Sequence, residues 1–115
     1  MGYSRVEVVT SQNKLGDLKE ALSKIGVSGM TVLQAMGCGV EHGKQEYEVE
    51  EKKIMELLPK QMIIIVVEDE KVEKLLEIIK KVLYTGHIGD GKIFVSDVTK
   101  ICRVRTGEED MDALY

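Results

Sequence analysis

The sequence predicts an α+β fold made of two consecutive strand–helix–strand units. Short runs of apolar, often β-branched residues are each followed by an amphipathic helical pattern, and this order repeats once along the chain. The 115 residues, 43% hydrophobic and 31% charged, suit a soluble domain with a modest core. We therefore expect a single domain over residues 1–115.

Charge and aromatic content argue against two classes of partner. A net charge of -4, with one Phe, four Tyr and no Trp, offers neither the basic surface nor the stacking platforms of a nucleic-acid-binding protein. No apolar run approaches the length of about 20 residues that a membrane-spanning helix needs, and residues 1–5 carry no apolar signal segment. We expect no nucleic acid, no direct membrane insertion and a cytoplasmic location. There Cys38 and Cys102 would be free thiols rather than a disulfide.

The first unit covers residues 6–37. Val6–Thr10 is a short β-branched run typical of a strand, and Ser11–Asn13 supplies side chains that cap helix N-termini. Residues 29–37 predict the second strand. Between them a helix ended by Gly26 is predicted from apolar residues at helical spacing, namely Leu15, Leu18, Leu22 and Ile25.

Residues 38–56 fit neither periodicity. Polar residues dominate the run from Val40 to Lys53, which is typical of a solvated segment. A loop of this length inside a compact domain is uncommon unless it has a function. We interpret it as an interaction loop rather than an idle insertion, with the apolar residues of segment 54–58 packing its far end on the domain.

The second unit covers residues 61–98. The continuous apolar run Gln61–Val67 predicts a central strand buried on both faces. Glu68–Glu70 places acidic residues at the positive N-terminal end of the next helix, and Ile93–Val98 predicts the last strand. The apolar face of that helix consists of Val72, Leu75, Leu76, Ile79, Val82 and Leu83.

A glycine-rich stretch, Thr85–Lys92, lies between that helix and the last strand. Glycines let main-chain amides approach a ligand closely, and amides beside a lysine make a sensible anion cradle. The stretch is not a Walker A motif, because Ile93 follows the lysine and the glycine spacing differs. From the residues alone, it is either a phosphate-binding loop or a plain glycine-rich turn.

Two arginines follow the last strand. If residues 101–105 are extended, Arg103 and Arg105 project from the same face, with no acidic residue between them. Such a pair suits a phosphate or a carboxylate. The alternative is a solvated edge strand whose charges discourage aggregation. An acidic tail, residues 108–112, comes next.

The element order is that of the split βαβ, or ferredoxin-like, topology. Right-handed crossovers put both helices on one face of an antiparallel sheet. The other face then needs cover, which a chain with no further helices can supply only by forming an oligomer.

The motifs Thr85–Val95 and Arg103–Glu109 closely resemble those of the PII nitrogen-regulatory signal proteins. The second signature of that family, Thr-Gly-x-Ile-Gly-Asp-Gly-Lys-Ile-Phe, matches at every fixed position. Gly29–Val32, the Gly-x-Gly at 37–39 and Leu58–Lys60 also match, so the resemblance covers nearly the whole chain. It implies a homotrimer that binds ATP or ADP between subunits. Its long loop would reach a target protein, often an ammonium channel or an enzyme of nitrogen metabolism.

The resemblance implies nucleotide-binding residues by position. Those expected at the phosphates, with Asp90 in the same stretch, are Gly89, Gly91, Lys92, Arg103 and Arg105. Those expected on the adenine side are Gly29, Met30, Thr31 and Val66. Gly37 and Gly39 would flank the loop where it meets the nucleotide. His87 replaces a lysine or other polar residue of the family and lies either at the cleft edge or in an exposed turn.

Departures from the family pattern leave the second effector open. Val40 and Glu41 replace an Arg-Gln pair of the family, and Ser11–Asn13 replaces Lys-Pro-Phe. Glu41 can still ligate Mg²⁺, but its charge would repel a dianion such as 2-oxoglutarate. Lys60, the carboxylate-binding lysine of the family, is retained. Mg²⁺ and 2-oxoglutarate therefore remain open expectations, and AMP is a further candidate nucleotide.

The loop also departs from the family at its modification site. Lys53 replaces the tyrosine that accepts a nucleotide in the family, and Tyr47 lies off that position. We therefore expect no modification at residue 53. The net acidic loop favours a basic groove on its target, and the residues expected to meet a partner are Glu46, Tyr47, Glu48, Glu50, Glu51 and Lys53.

The sequence is compared with three classes of function: a regulator, a metal-binding protein and an enzyme. The favoured one is a trimeric adenine-nucleotide-binding regulator of a transporter or metabolic enzyme, most often in nitrogen metabolism. A variant of it controls a non-ammonium transporter in response to another small anion or to ADP or AMP. A trimeric metal-binding protein is disfavoured, because Cys38, His42, His87 and Cys102 form no ligand motif. A nucleotide hydrolase is also disfavoured, because no nucleophile–base constellation is evident, so no enzyme is expected.

Overall fold

The computed structural model describes residues 2–27, 29–38 and 57–115. Four of the described strands form one antiparallel sheet in the order β2-β3-β1-β4. The predicted α+β, ferredoxin-like duplication is therefore confirmed, with the first strand of each unit at the centre of the sheet. The elements are β1 (Tyr3–Thr10), α1 (Leu15–Ser23), β2 (Thr31–Gly37), β3 (Leu58–Glu68), α2 (Val72–Leu83), β4 (Lys92–Val98) and α3 (Met111–Leu114).

One face of the sheet carries the core. β1 and β3 bury alternate residues, and the register pairs Val6 with Ile65 and Val8 with Ile63, so these side chains share a face. Burying each such side chain stabilises the fold by about 1.5–3 kcal/mol. Most of the buried apolar residues lie between this face and the two long helices. The helices cover the face with Leu18, Leu22, Leu75, Ile79 and Leu83.

The opposite face has no helix over it among the described residues. The sequence predicts a β3 buried on both faces, and this is wrong for the single chain, because burial along β3 alternates. Met62, Ile64 and Val66 point to the uncovered side and are only partly buried. Leu33 of β2, 44% exposed, and Phe94 of β4, 54% exposed, lie on the same side. We call these five residues the open face.

The N-terminal end of α1 differs from the prediction, and its C-terminal end agrees with it. Ser11–Asn13 was expected to cap the helix, but the N-cap is Lys14, which makes no side-chain capping hydrogen bond. The preceding segment instead folds onto β1, where the main-chain N of Gln12 donates to Thr10 Oγ1 at 3.0 Å. Gly26 follows the helix with a φ of 83°, as predicted for a residue that ends it.

The acidic residues before α2 lie at its N-terminal end, as predicted. They form a 3-10 turn, Asp69–Lys71, which continues directly into the helix. Asp69 accepts a hydrogen bond from Ser4 Oγ at 2.6 Å, and this ties the turn to β1. No helix in the described part of the chain is long and apolar enough to cross a membrane.

Candidate functional site

The glycine-rich loop, Thr85–Lys92, is held together by one carboxylate. Asp90 accepts hydrogen bonds from the main-chain N of Thr85 at 2.8 Å, from the main-chain N of Gly86 at 3.0 Å and from Thr85 Oγ1 at 2.6 Å. These bonds, that of the Thr85 hydroxyl foremost, hold the pKa of Asp90 below its usual range. Asp90 therefore shapes the loop, and its contact with a nucleotide stays a prediction.

Two glycines of the loop are required by the backbone. Gly91 has a φ of 103°, and a Cβ there would lie 2.1 Å from the carbonyl oxygen of Val9. Gly89 has a φ of 112°, and its carbonyl accepts a hydrogen bond from the main-chain N of Ser11 at 3.0 Å. The loop thus lies directly against the end of β1, at a distance that only glycine allows.

Charged side chains of the loop remain at the surface. Lys92 and His87 are both exposed, and the main-chain N of His87 donates to Thr85 Oγ1 at 3.2 Å. The negative charge of the loop, on Asp90, is already matched by several donors. A lysine beside glycine amides is therefore the part of the loop suited to an anion.

Two described residues that flank segment 38–56 in sequence, Gly37 and Lys60, lie near the glycine-rich loop. The Lys60 side chain lies over Gly37, where an added Cβ would be 3.1 Å from Lys60 Cγ. Lys60 Nζ donates to Ser11 Oγ at 3.0 Å. Ser11 in turn lies against Gly89. The structure therefore brings Gly37, Lys60 and the glycine-rich loop together, as the resemblance implies.

The residues expected on the adenine side lie on β2, on β3 and in the segment before β2. Thr31 starts β2 and pairs with Ile64, and Val66 lies two residues further along β3 on the same face. Gly29 and Met30 precede Thr31 and line a cavity of about 320 Å³ together with residues of α1 and Val27. Gly29 and Met30 thus line a cavity beside α1, whereas Thr31 and Val66 lie on the uncovered side of the sheet.

The arginine motif is not a strand. The sequence predicts Arg103 and Arg105 on one face only if residues 101–105 are extended, and they are not, because residues 104–106 form a turn. The main-chain N of Arg103 donates to Glu108 O at 2.8 Å, and the main-chain N of Gly107 donates to Arg103 O at 2.8 Å. Gly107, with a φ of 75°, lets the chain reverse within this short span. The side chain of Arg105 is exposed.

Arg103 points to the last segment of the described chain. Its Nη2 donates to the main-chain oxygens of Asp112 and Ala113, both at 3.3 Å, and of Tyr115. Its Nε is buried 3.4 Å from Glu108 Oε1, an ion-pair separation without hydrogen-bond geometry. Sequence reasoning missed this contact, because the four residues of α3 are too few to show a helical periodicity.

The expected site residues therefore form two groups. The glycine-loop group lies near the end of β1 and the start of β3 and consists of Gly37, Lys60, Gly89, Gly91 and Lys92. The Arg103 group consists of Gly29, Met30, Thr31, Val66 and Arg103. Thr31 pairs with Ile64 within the sheet, whereas Arg103 follows the end of β4 and contacts Tyr115, whose hydroxyl donates to Glu68. Lys60 and Val66 are six residues apart in one strand, or about 20 Å at 3.3 Å per residue.

Several expected site residues lie outside the described part of the chain. They are Gly39, Glu41, Glu46, Tyr47, Glu48, Glu50, Glu51 and Lys53. Cys38 and Cys102, which are described, are free and exposed. No group of three or more metal-ligating side chains occurs within residues 2–27, 29–38 and 57–115.

Fold and site together define a class of protein, a ferredoxin-like α+β domain with an anion-suited glycine loop at one end of its sheet and an arginine at the other. A family model, nitrogen regulatory protein P-II, matches residues 3–108. The nitrogen regulatory protein P-II of Pasteurella multocida is 43% identical over 110 residues, which covers 96% of this chain and 98% of that protein. The chain belongs to the nitrogen regulatory protein P-II family.

Solved structures agree with this assignment. The GlnK–ATP complex of B. subtilis superposes with a TM-score of 0.84 at 36% identity and covers 98% of this chain and 96% of that one. Arabidopsis thaliana PII bound to citrate superposes with a TM-score of 0.77 at 32% identity, with 98% and 90% covered. The suspected PII membership and the ferredoxin-like fold are therefore confirmed.

Proposed function

We propose that this chain is a homotrimeric regulator in the cytoplasm that binds an adenine nucleotide between subunits. Through residues 38–56 it signals to a transporter or a metabolic enzyme which nucleotide is bound. Nitrogen metabolism is the process that we propose it controls. The observation that carries this proposal is the placement of the glycine-rich loop and of Arg103 at opposite ends of β4.

Lys92 begins β4, and Arg103 follows the end of this strand at Val98, so about 20 Å of strand separates the two cationic ends within one chain. The phosphates of one nucleotide cannot contact both ends of the same chain. The glycine-loop group of one subunit facing the Arg103 group of the next resolves this. Such a contact joins two different surfaces, and a ring of three closes it without leaving either surface unpaired.

The open face supplies a reason for the ring to form. Leu33, Ile64 and Phe94 belong to a sheet surface that neither long helix covers. The ion pair of Arg5 and Glu7 lies among these apolar residues. Exposed apolar surface rimmed or interrupted by polar groups typically marks an interface. Three such faces meeting at an axis would bury one another and set each glycine-rich loop beside the neighbouring chain.

The residues fit a nucleotide. Gly89 and Gly91 present amides with no side chain in the way, and Lys92 adds a positive charge beside them. Arg103 and Arg105 of the neighbouring subunit would meet the same phosphates, and Gly29, Met30, Thr31 and Val66 would line the adenine. B. subtilis GlnK, of the same fold, forms a complex with ATP. ADP and AMP would make fewer of the phosphate contacts.

The second effector would bind at the glycine-loop group. Lys60 holds Ser11 Oγ at 3.0 Å, so its ammonium already has a neutral partner that an anion could displace. Mg²⁺ beside Glu41 and 2-oxoglutarate on Lys60 would follow the family pattern. The hydroxyl at residue 11 and the retained Lys60 equally suit a different small anion of lower charge, and this is the second candidate. Arabidopsis PII has been seen with citrate.

We assign the chain a binding role rather than a catalytic one. Its relatives are named as regulatory proteins. Asp90, the carboxylate inside the glycine-rich loop, is engaged by Thr85 and Gly86 and is not available as a base. The partner contact through Glu46, Tyr47, Glu48, Glu50, Glu51 and Lys53 is carried over from the sequence.

Calorimetry with ATP, ADP and AMP, each with and without 2-oxoglutarate, tests the proposal. We expect binding of at least one nucleotide. Lys92→Ala or Arg103→Ala should weaken ATP by about tenfold or more, since each removes a charged phosphate contact, while the trimer persists in light scattering. An absence of heat with every nucleotide would contradict the function.

A pull-down across the same nucleotide conditions tests the regulatory half of the proposal. A partner that is captured in one nucleotide state and released in another is the expected result. Capture that ignores the nucleotide would separate partner binding from sensing and would contradict a signalling role.

A further inference from the structure

The last segment of the described chain holds the Arg103 side chain in place. Helices end with main-chain oxygens that lack an intrahelical partner, and a cation is favoured there. Arg103 Nη2 donates to three such oxygens, those of Asp112, Ala113 and Tyr115. A guanidinium has five N–H donors, and Nη1 makes no hydrogen bond within the described residues. One edge of Arg103 is therefore fixed while another can still meet an anion.

Tyr115 anchors that segment to the body of the domain. Its hydroxyl donates to Glu68 Oε1 and accepts from Lys71 Nζ at 3.0 Å. Lys71 Nζ also lies 4.9 Å from the Tyr115 ring centroid and 3.9 Å from Glu68 Oε1. Glu68 ends β3 and Lys71 ends the turn before α2, so the anchor points belong to the rigid core elements.

The electrostatics of the anchor agree with its geometry. The Tyr115 hydroxyl holds the pKa of Glu68 below its usual value, and the same contact raises the pKa of Lys71. Burial and the bond to Glu68 raise the pKa of Tyr115. At neutral pH, Glu68 therefore stays negative, Lys71 positive and the Tyr115 hydroxyl protonated, as the hydrogen bonds require.

We propose that Tyr115 is a positioning residue of the nucleotide site. By tying α3 to Glu68 and Lys71, it fixes the main-chain oxygens that orient the Arg103 guanidinium toward the terminal phosphates of a nucleoside triphosphate. The inference rests on the proposed function, because it takes Arg103 as a phosphate ligand. Tyr115 itself touches no nucleotide in this account.

The test removes only the hydroxyl, with Tyr115→Phe, and measures ATP and AMP affinity by calorimetry. We expect ATP to weaken by about tenfold, the scale of one charge-assisted contact. AMP, which lacks the terminal phosphates, should be unaffected. Tyr84→Phe is the matched control, because the Tyr84 side chain is 72% exposed and its hydroxyl makes no hydrogen bond within the described residues.

A double-mutant cycle separates positioning from general loosening. In an Arg103→Ala background, Tyr115→Phe should cause no further loss of ATP affinity, because the group that it orients is gone. Equal losses for ATP and AMP, a full second loss in the Arg103→Ala background, or an unchanged or raised ATP affinity would each overturn the inference. Wild-type protein that binds no nucleotide would instead overturn the proposed function.

Discussion

At the scale of single residues, Gly91 has the least room for a side chain among the glycines that the structure describes. Its φ of 103° disfavours any side chain, and the carbonyl oxygen of Val9 occupies the space that a Cβ would need. We expect Gly91→Ala to lower the free energy of unfolding by about 1–3 kcal/mol, the cost of a strained backbone conformation. Urea denaturation measures the change.

Gly16 provides the matched control for that substitution. It lies in α1, and a Cβ there meets nothing within 4 Å. Gly16→Ala should be neutral or stabilising by up to about 1 kcal/mol, because alanine restricts the unfolded chain and favours a helix. Equal destabilisation by both substitutions would show that the contact with β1 is not what makes Gly91 necessary.

The sequence indicated that glycines matter in this loop but not why. A cluster of three glycines beside a lysine predicts close approach to something. That the nearest neighbour of Gly91 is the chain itself, at Val9, depends on how β1 and β4 pair, which is a long-range property. For the same reason, the sequence does not show that the Asp90 oxygens accept hydrogen bonds from within the loop, and the contact of Asp90 with a nucleotide stays a prediction.

At the scale of elements, the glycine-rich loop depends on the charge of Asp90. Asp90→Asn should lower the free energy of unfolding by about 1 kcal/mol at neutral pH, because one oxygen that accepts from the loop becomes a donor. The pKa of Asp90 is lowered on folding. Its contribution is therefore complete above the unfolded value and is lost as the pH falls through the folded value.

The difference between wild type and Asp90→Asn should therefore shrink below about pH 4. Urea denaturation at several pH values measures it. Asp97→Asn, at an exposed position of β4, is the control and should leave the stability unchanged. A difference that persists unchanged in acid would rule out the carboxylate charge as its source.

Elements with a strong pattern were predictable, and elements defined by tertiary contacts were not. The amphipathic face of α2 and the apolar run of β3 identified both elements, because the α2 face and alternate β3 side chains pack in the core. The turn at residues 104–106 has no such pattern, because the alternation of Arg103 and Arg105 fits an extended strand as well as it fits a turn. The reversal depends on Gly107 and on a bridge from Cys102 to Glu109.

At the scale of the whole molecule, the open face should decide the oligomeric state. Leu33→Lys would place a charge among Met62, Ile64 and their neighbours, where desolvating it costs several kcal/mol. We expect the mass in light scattering to fall from that of three chains to that of one. Glu20→Lys, at an exposed position of α1, adds a lysine without touching this face and should leave the trimer intact.

A trimer that survives Leu33→Lys would contradict the role of the open face. The sequence anticipated that face in a general way. Two helices can cover only one side of a four-stranded sheet, so uncovered apolar residues were expected. Which residues form it follows from the register of β2 against β3, which no local pattern in the sequence specifies.

The division of the site between the two ends of the sheet links assembly to sensing. In the proposed ring, each nucleotide bridges two chains, so ligand binding and subunit association stabilise each other by the same free energy. Dilution would then lower the apparent affinity for nucleotide, and saturating nucleotide would hold the ring together at lower protein concentration. The abundance of the protein in the cell would thus help to set the nucleotide level at which it responds.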